Sequence, residues 1–278
     1  MGKRKREQHM YGFSGKAIHL SGVDFFREET RILSDISLSV NYGEIVAVMG
    51  FSGGGKTTLI ELMAGLLFPS KGYVEVCKLN LSHCSLSDLF SIRRQMGILF
   101  QTGALFSDLS VFDNVAFPLR EITSFSGEAI SDLTWMKLEA VGLRSAATLF
   151  PSELSGGMAR RVSLARAISL DPRILLCDEP FSGLDPAAVN SISNLILSLT
   201  RIFNLSTVII THHVGDLINI FDRVLLLVGG SLVFDGTPGE FLSSEKNEVQ
   251  SFIRGDVNLV HRSSVSSLSL AENLRIVE

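Results

Sequence analysis

Cysteine is scarce in this sequence: three occur among 278 residues, without the spacing of a metal site or of a disulfide framework. Long apolar runs are missing too, since none approaches the ~18 to 20 residues that span a bilayer. The basic N-terminus, MGKRKREQHMYG, has no apolar segment behind it and does not resemble a secretory signal. A net charge of −4 argues against a general nucleic-acid binder. These absences predict a soluble protein of a reducing compartment.

Hydrophobic patterning predicts an α/β fold with a mostly parallel core sheet. Residues 16–40 alternate apolar and polar positions around a turn near 28–30, as antiparallel strands do. Helix-period segments alternate with continuous apolar runs, and this order is characteristic of a parallel sheet. The apolar runs, typical of strands buried on both faces, are 44–50, 173–180, 206–211 and 223–228.

Composition divides the chain into a central domain and two tails. Residues 1–15 are predicted to be a basic, flexible tail, and residues 16–245 to be one domain. Within it, residues 86–165 carry helical patterns around one apolar run, MGILFQ (96–101), which predicts a helical lobe inserted between core strands. Residues 246–278 turn polar and serine-rich, which predicts a partly disordered extension.

A glycine-rich segment, GFSGGGKT (50–57), follows the first buried run and precedes a helix. It fits the pattern G-x-x-x-x-G-K-[ST] in the context that phosphate binding requires. Glycines let backbone N–H groups turn inward around phosphate oxygens, and the following helix points its positive dipole end at them. Lys56 would add a point charge, and Thr57 a hydroxyl ligand for Mg²⁺. The predicted nucleotide-binding residues here are Gly50, Phe51, Ser52, Gly53, Gly54, Gly55, Lys56, Thr57 and Thr58.

Two acids follow another buried run, in ILLCDEP (174–180). The strand would carry Asp178 to its C-terminal end, where ligands gather in parallel sheets. We expect Asp178 to hold Mg²⁺ through water, and Glu179 to orient and polarise an attacking water. Together with the glycine-rich loop, this pair predicts a site of nucleoside triphosphate hydrolysis.

A third motif, LSGGM (154–158), opens a helix with two glycines in its first turn. Each glycine costs roughly 1 kcal/mol against alanine inside a helix, so we expect another group to approach closely. The serine lies 23 positions before the acid pair, and the motif resembles the signature of the ABC-transporter ATPase family. Gln101 at a strand end, Asp185 in DEPFSGLDP and His212 in VIITHH follow the order of that family's motifs. The resemblance covers about residues 17–245.

The resemblance implies an ABC-type P-loop ATPase that uses ATP and Mg²⁺ and pairs head-to-tail with a second copy of itself. His212 would be the switch histidine, contacting the γ-phosphate and holding Glu179, while His213 stands where the family usually has an acid. Glu179 and His212 are thus the implied catalytic residues. The residues implied to face the γ-phosphate in the neighbour's site are Ser155, Gly156 and Gly157.

Other positions follow from the same resemblance. Gln101 would reach Mg²⁺ or the attacking water, and Asp185 would belong to the D-loop between the two copies. Arg27 stands 23 positions before the first glycine of the phosphate loop, where the family often stacks an aromatic residue on adenine. A guanidinium can stack there as well. We expect its neighbours Phe25 and Phe26 to be core residues.

The segment GILFQTGALFSDLSVFDNVAFPLRE (97–121), with LSGGMARR, closely resembles the branch of this family that serves Mla-type phospholipid transport. That branch implies a membrane permease contacted through residues 101–119, an MCE lipid-binding protein and a STAS-domain subunit. It implies a peripheral position on the cytoplasmic face of the inner membrane. The same segment predicts buried side chains in the lobe at Phe106, Leu109 and Phe112.

Two alternatives stay open from the sequence. One is the ATPase of another importer or exporter, for example for amino acids, metal chelates or lipoproteins. The other is a non-transport ABC protein with a regulatory role. Both would share the ATP chemistry and differ in partner, and nothing in the sequence indicates nucleic-acid binding.

Overall fold

The structure, a computed structural model, describes residues 15–212 and 215–256 and contains two β-sheets. The predictions for the basic tail before residue 15, for the polar extension after residue 256 and for His213 lie outside the described residues. The strands are, in chain order, β1 (Lys16–Arg27), β2 (Thr30–Asn41), β3 (Ile45–Gly50), β4 (Lys71–Val76), β5 (Leu79–Asn80), β6 (Met96–Leu99), β7 (Ile174–Asp178), β8 (Ser206–Ile210), β9 (Arg223–Val228) and β10 (Ser231–Gly236).

Six of the described helices lie in segments with helical patterning, whereas the helix at 247–254 lies within residues 246–278, where a partly disordered extension was predicted. None of the described helices is long and apolar enough to cross a membrane. They are α1 (Lys56–Met63), α2 (Leu86–Arg93), α3 (Val111–Ile122), α4 (Gly127–Ala140), α5 (Gly156–Ala167), α6 (Pro186–Phe203), α7 (Pro238–Leu242) and α8 (Asn247–Arg254).

The first sheet is antiparallel and has the strand order β2-β1-β4-β5. Its hairpin of β1 and β2 turns between Arg27 and Thr30, as the alternation in 16–40 predicts. Leu33 and Ile36 of β2 are buried together with α1 beneath the sheet. The predicted antiparallel N-terminal part is confirmed.

The second sheet has the order β10-β9-β3-β8-β7-β6 and is parallel except for the edge strand β10. Every residue of β3, β7 and β8 is buried, as their continuous apolar runs predict. Val46 and Val48 pack with α1 and the first sheet, and the alternate residues of β3 pack on the opposite side with α6 and the C-terminal helices. The predicted α/β fold is therefore confirmed.

Helices α3, α4 and α5 pack around a hydrophobic cluster of their own that includes Val115 and Leu138. Inside the predicted lobe of 86–165, α2 packs elsewhere, because Leu89 and Ile92 belong to the cluster beneath the first sheet. Strand β6 is the edge of the second sheet. The separate helical cluster therefore begins after β6.

Helix α8 continues the packed chain past residue 245. Val249 and Phe252 are buried in the cluster that also holds Phe241 and the inner face of α6. The chain thus remains part of the core until it reaches Gly255, which ends α8 in the left-handed conformation with φ 75°.

The loop between β6 and α3 is fixed by one fully buried side chain, Asn114. Its Oδ1 accepts a hydrogen bond of 2.9 Å from the backbone N–H of Phe106. Its Nδ2 lies 3.0 Å from the carbonyl oxygens of Phe106, Leu109 and Ser110. Buried backbone groups need such partners because water does not reach them.

We expect Asn114→Ala to lower the free energy of unfolding by roughly 1 to 3 kcal/mol, because it leaves buried backbone groups without a partner. Denaturant unfolding of this variant beside Asn190→Ala, a matched change on the exposed side of α6, measures the effect. Equal losses in the two variants would show that the amide does not hold the loop.

Candidate active site

Four of the predicted motifs lie at one edge of the parallel sheet. Strands β3, β8, β7 and β6 are neighbours in that order and run in the same direction, so their C-terminal ends lie side by side. The segments that leave these ends are the phosphate loop, the turn with His212, the acid pair and the turn with Gln101. Ligands of open α/β sheets bind at this edge.

The phosphate loop needs glycine at its two ends. Gly50 has φ 152°, and a Cβ there would lie 2.3 Å from the carbonyl oxygen of Leu227. Gly55 has φ 90° and caps α1, and a Cβ there would lie 2.6 Å from Cδ2 of Leu33. No side chain caps the first N–H groups of α1. The loop therefore presents backbone donors of the kind that bind phosphate.

Lys56 is buried at the start of α1, with its ammonium group turned into the loop. Its Nζ donates to the carbonyl oxygens of Gly50 and Phe51, both at 2.9 Å. Burial lowers the pKa of Lys56, and the nearby carboxylates of Glu179 and Asp178 act in the opposite direction. The lysine thus places a positive charge between the phosphate loop and the acid pair.

Asp178 ends β7 as a buried carboxylate. Burial raises its pKa, and the Thr57 hydroxyl and the charge of Lys56 partly offset this rise. Within the described part of the chain its buried Oδ1 has no hydrogen-bond partner. An oxygen ligand left unpaired beside a hydroxyl suits a hard cation such as Mg²⁺. Thr57 and Asp178 therefore fit the predicted metal-binding roles.

Glu179 and His212 lie in direct contact, as the predicted pairing requires. The His212 Nδ1 is 2.9 Å from the Glu179 Oε2. The Glu179 side chain is only 14% exposed, whereas that of His212 is 55% exposed, so the pair opens toward solvent from the histidine side. Glu179 has φ 48°, a left-handed conformation that is rare and strained for a non-glycine residue. The surrounding strands hold it there, since its N–H donates to the carbonyl oxygen of Ile210 at 3.1 Å.

Two arginines of α5 hold the turn that contains Gln101, and neither was among the predicted site residues. Arg160 donates to the carbonyl oxygens of Phe100 (3.0 Å) and Gln101 (2.6 Å). Arg166 donates to the carbonyl oxygens of Gly103 (2.9 Å) and Ala104 (2.8 Å). Burial lowers the pKa of both guanidinium groups. Both lie on the helix that the signature opens, but their partners are about 60 positions away in sequence, and local patterns do not show such contacts.

The glycines of the signature are not required by the packing of their own chain. A Cβ on Gly156 would lie 3.6 Å from Leu184, and one on Gly157 would lie 3.8 Å from Ala188, both ordinary van der Waals contacts. Ser155 caps α5 by accepting a hydrogen bond from the backbone N–H of Met158 at 3.2 Å. Among the described residues, no hydrogen bond joins the signature to the phosphate loop. Packing within the described chain therefore does not account for glycine at these two positions.

Asp185 and Arg27 occupy exposed positions. Asp185 caps α6 by accepting a hydrogen bond of 2.9 Å from the N–H of Ala188. Arg27 is the last residue of β1, at the turn of the first hairpin. Phe25 is buried, as predicted. The predicted burial of Phe26 is wrong, because this side chain is 38% exposed. Successive residues of a strand point to opposite faces, so Phe26 points outward where Phe25 points inward, and the guanidinium of Arg31 lies 5.9 Å from its ring centroid.

The segment predicted to meet a permease presents one aromatic pair on its surface. Phe106 is 40% exposed, so its predicted burial is wrong. Its ring packs on Phe117, 4.7 Å between centroids, beneath the guanidinium of Arg166. Phe112 instead packs on Trp135 at 5.0 Å, inside the helical cluster. The short loop before α3 has too little core beneath it to cover Phe106.

Comparisons with known proteins agree with the motifs. A family profile described as "ABC transporter" matches residues 33–182. The intermembrane phospholipid transport system ATP-binding protein MlaF of Haemophilus influenzae is 43% identical over 86% of this chain and 90% of that protein. MlaF of Escherichia coli K12 is 42% identical over 86% of this chain and 88% of that protein. The dimeric post-hydrolysis structure of the ATP-binding cassette MJ0796, bound to ADP and Pi, superposes with a TM-score of 0.72. It is 28% identical in sequence and covers 80% of this chain and 98% of its own.

Glu179→Gln is expected to keep ATP binding and to slow hydrolysis by ~10² or more, since a group that polarises the attacking water is lost. Nucleotide binding and phosphate release are measured on the same preparation. The control Glu128→Gln, on the exposed first turn of α4, should change neither. Turnover close to wild type in Glu179→Gln would remove this residue from catalysis.

Proposed function

This chain belongs to the ABC transporter family, and from that premise we propose that it drives the movement of phospholipid between membranes. As a member of the family it binds ATP and hydrolyses it, so the proposal concerns the cargo. The observation that carries it is the identity of 42 to 43%, over most of both chains, to proteins named for intermembrane phospholipid transport. The importer, exporter and regulatory alternatives share the ATP chemistry, which therefore does not discriminate among them.

We propose that residues 50–58 bind the β- and γ-phosphates. The loop offers its N–H groups and the uncapped start of α1, and Lys56 lies within the same loop. When ATP binds, the lysine would exchange its two hydrogen bonds to carbonyl oxygens for hydrogen bonds to phosphate oxygens. The new bonds are stronger because both partners are charged. Adenine would stack near the end of the first hairpin, where Arg27 and Phe26 are both exposed.

Thr57 and Asp178 would hold Mg²⁺, with Gln101 as a further ligand. The buried, unpaired oxygen of Asp178 supports this role. When bound, the ion neutralises charge on the phosphate oxygens. Asp178 itself would serve as a fixed acceptor, because its backbone belongs to the fully buried β7 and cannot shift without disturbing the sheet.

Glu179 would polarise the water that attacks the γ-phosphate. Its carboxylate is mostly shielded and is oriented by His212 at 2.9 Å. If the Nδ1–H group of His212 donates a hydrogen bond to Glu179, the Nε2 atom on the other side of the ring is left to approach the γ-phosphate. The histidine would then contact the γ-phosphate and the carboxylate at the same time, so that it links the position of Glu179 to that of the phosphate.

The signature would act on ATP held by a second copy of this chain. Gly156 and Gly157 have room for a methyl group within their own chain, so their lack of side chains points to an external group. The start of α5 offers N–H groups and a dipole end that favour an anion. In a head-to-tail pair, that anion would be the γ-phosphate of the partner's ATP, with Asp185 near the boundary between the two copies.

Transport would be coupled through the turn that follows β6. Arg160 and Arg166 tie this turn to α5, so a movement of the signature helix would be passed to the exposed pair Phe106 and Phe117. We propose that this pair, within residues 101–119, packs on a membrane permease. An MCE lipid-binding protein and a STAS-domain subunit would complete the assembly at the cytoplasmic face of the inner membrane.

Deletion of this chain from its own bacterium tests the cargo. We expect more phospholipid on the outer surface of the outer membrane and a more permeable envelope, both restored by wild type and not by Lys56→Ala. Surface-accessible phospholipid and uptake of a large hydrophobic probe are measured together. Unchanged lipid asymmetry with loss of uptake of a small solute would favour the importer alternative.

A further inference from the structure

We propose that α8 is a positioning element for the phosphate loop and that it acts through Phe252. The ring of Phe252 meets the ring of Phe51 edge-on, with centroids 5.3 Å apart and an interplanar angle of 80°. Phe51 is the second residue of the loop, and about 200 positions of sequence separate the two rings. The proposal rests on the assignment of residues 50–58 to ATP phosphates.

The backbone of Phe51 shapes the loop from within. Its carbonyl oxygen accepts a hydrogen bond from Lys56 Nζ at 2.9 Å and another from the N–H of Gly54 at 3.1 Å. Phosphates are bound by backbone N–H groups and the lysine, so an aromatic ring at this position is not needed for the binding chemistry itself. The ring instead turns to the core cluster that holds α8. Its packing therefore fixes the backbone that the phosphates contact.

Helix α8 is in turn anchored to rigid parts of the fold. Phe252 is 7% exposed, and its ring lies 6.4 Å from that of Phe241, which is fully buried. The ring of Phe241 lies 5.2 Å from that of Phe234 in β10. Edge-to-face rings at these separations attract one another beyond their burial. A continuous row of four rings thus joins the edge of the core sheet to the phosphate loop.

The end of α8 also lines a cavity that His212 reaches. Residues 252–255 line a cavity of about 560 Å³ together with Leu184 and His212. The helix therefore packs directly on the phosphate loop and shares a cavity wall with the histidine. A change in the docking of α8 would alter the loop first, because that contact is a direct ring packing.

Loss of the Phe252 ring should leave the loop to sample several arrangements, so that ATP binding has to order it again. We expect Phe252→Ala to weaken ATP binding by about 3- to 10-fold, the affinity equivalent of one aromatic contact. The rate at saturating ATP should change less. Phe252→Tyr, which keeps the ring, should restore most of the affinity.

A double-mutant cycle on the full chain separates this role from mere stability. The dissociation constant for ATP and the melting temperature are measured for Phe51→Ala, Phe252→Ala and the double variant. We expect the double variant to bind ATP no more weakly than the weaker single variant, because both changes remove the same contact. The proposal would be overturned if the double variant lost affinity by the product of the two single losses. It would also be overturned if Phe252→Ala bound ATP as tightly as wild type.

Two further variants make the result specific. Val249→Ala alters a fully buried residue on the same helix; it should lower the melting temperature and leave ATP affinity within about twofold, a limit well under the effect of one aromatic contact. Equal weakening in Val249→Ala and Phe252→Ala would rule out the ring contact as the route. Lys56→Ala tests the underlying site, because its normal ATP binding would refute the phosphate-loop assignment itself. Weak binding in Lys56→Ala beside normal binding in Phe252→Ala would refute only the role of α8.

Discussion

The parallel hydrogen-bonded register of β3, β8 and β7 is the constraint on which this site depends. Val48 pairs with Ile210, and Ile210 pairs with Asp178, so three strands reach the same level at the same edge. Each strand then contributes one type of group: phosphate-binding backbone, a histidine or a pair of acids. Because these strands are buried on both faces, the groups are held in place by the core and not by the loops. A shift of one residue in the register would separate Glu179 from His212.

Helix α5 connects the parts of the site that different molecules would contact. Its first turn carries the signature, Arg160 binds the carbonyl of Gln101, and Arg160 also reaches the carbonyl of Ser182 at 3.4 Å. Arg166 holds the next part of the same turn, and its guanidinium lies over the ring of Phe106. A phosphate bound at the start of α5 would therefore affect the surface around Phe106 through Arg166 in the last turn of the same helix. Such a link is what an ATPase needs to perform work on a separate membrane protein, since binding energy must favour one arrangement over another.

Local sequence patterns predicted most of the strands and helices and supplied the candidate site residues, because each of these patterns lies within a short segment. The glycine spacing, the acids after a buried strand and the alternation in the first hairpin can each be recognised within a dozen residues. Contacts between distant segments could not be predicted in this way. Arg160 meets Phe100 across 60 positions, and Phe51 meets Phe252 across most of the chain. The exposure of Phe26 and Phe106 was missed for a related reason, since hydrophobicity alone does not show where the core stops covering a strand end or a short loop.

A shared ATP site, half from each of two copies, is tested most directly by mixing two defective chains in a Glu179→Gln background. One chain carries Lys56→Ala in the phosphate loop, and the other carries Gly156→Asp, whose carboxylate would repel the γ-phosphate. Each alone should stay monomeric with ATP and Mg²⁺, whereas the mixture should form a heterodimer, because one of its two sites combines an intact loop with an intact signature. Sedimentation or light scattering of the separate and mixed chains gives the answer. If the Gly156→Asp chain alone formed as much dimer as the chain that carries only Glu179→Gln, the shared site would be contradicted.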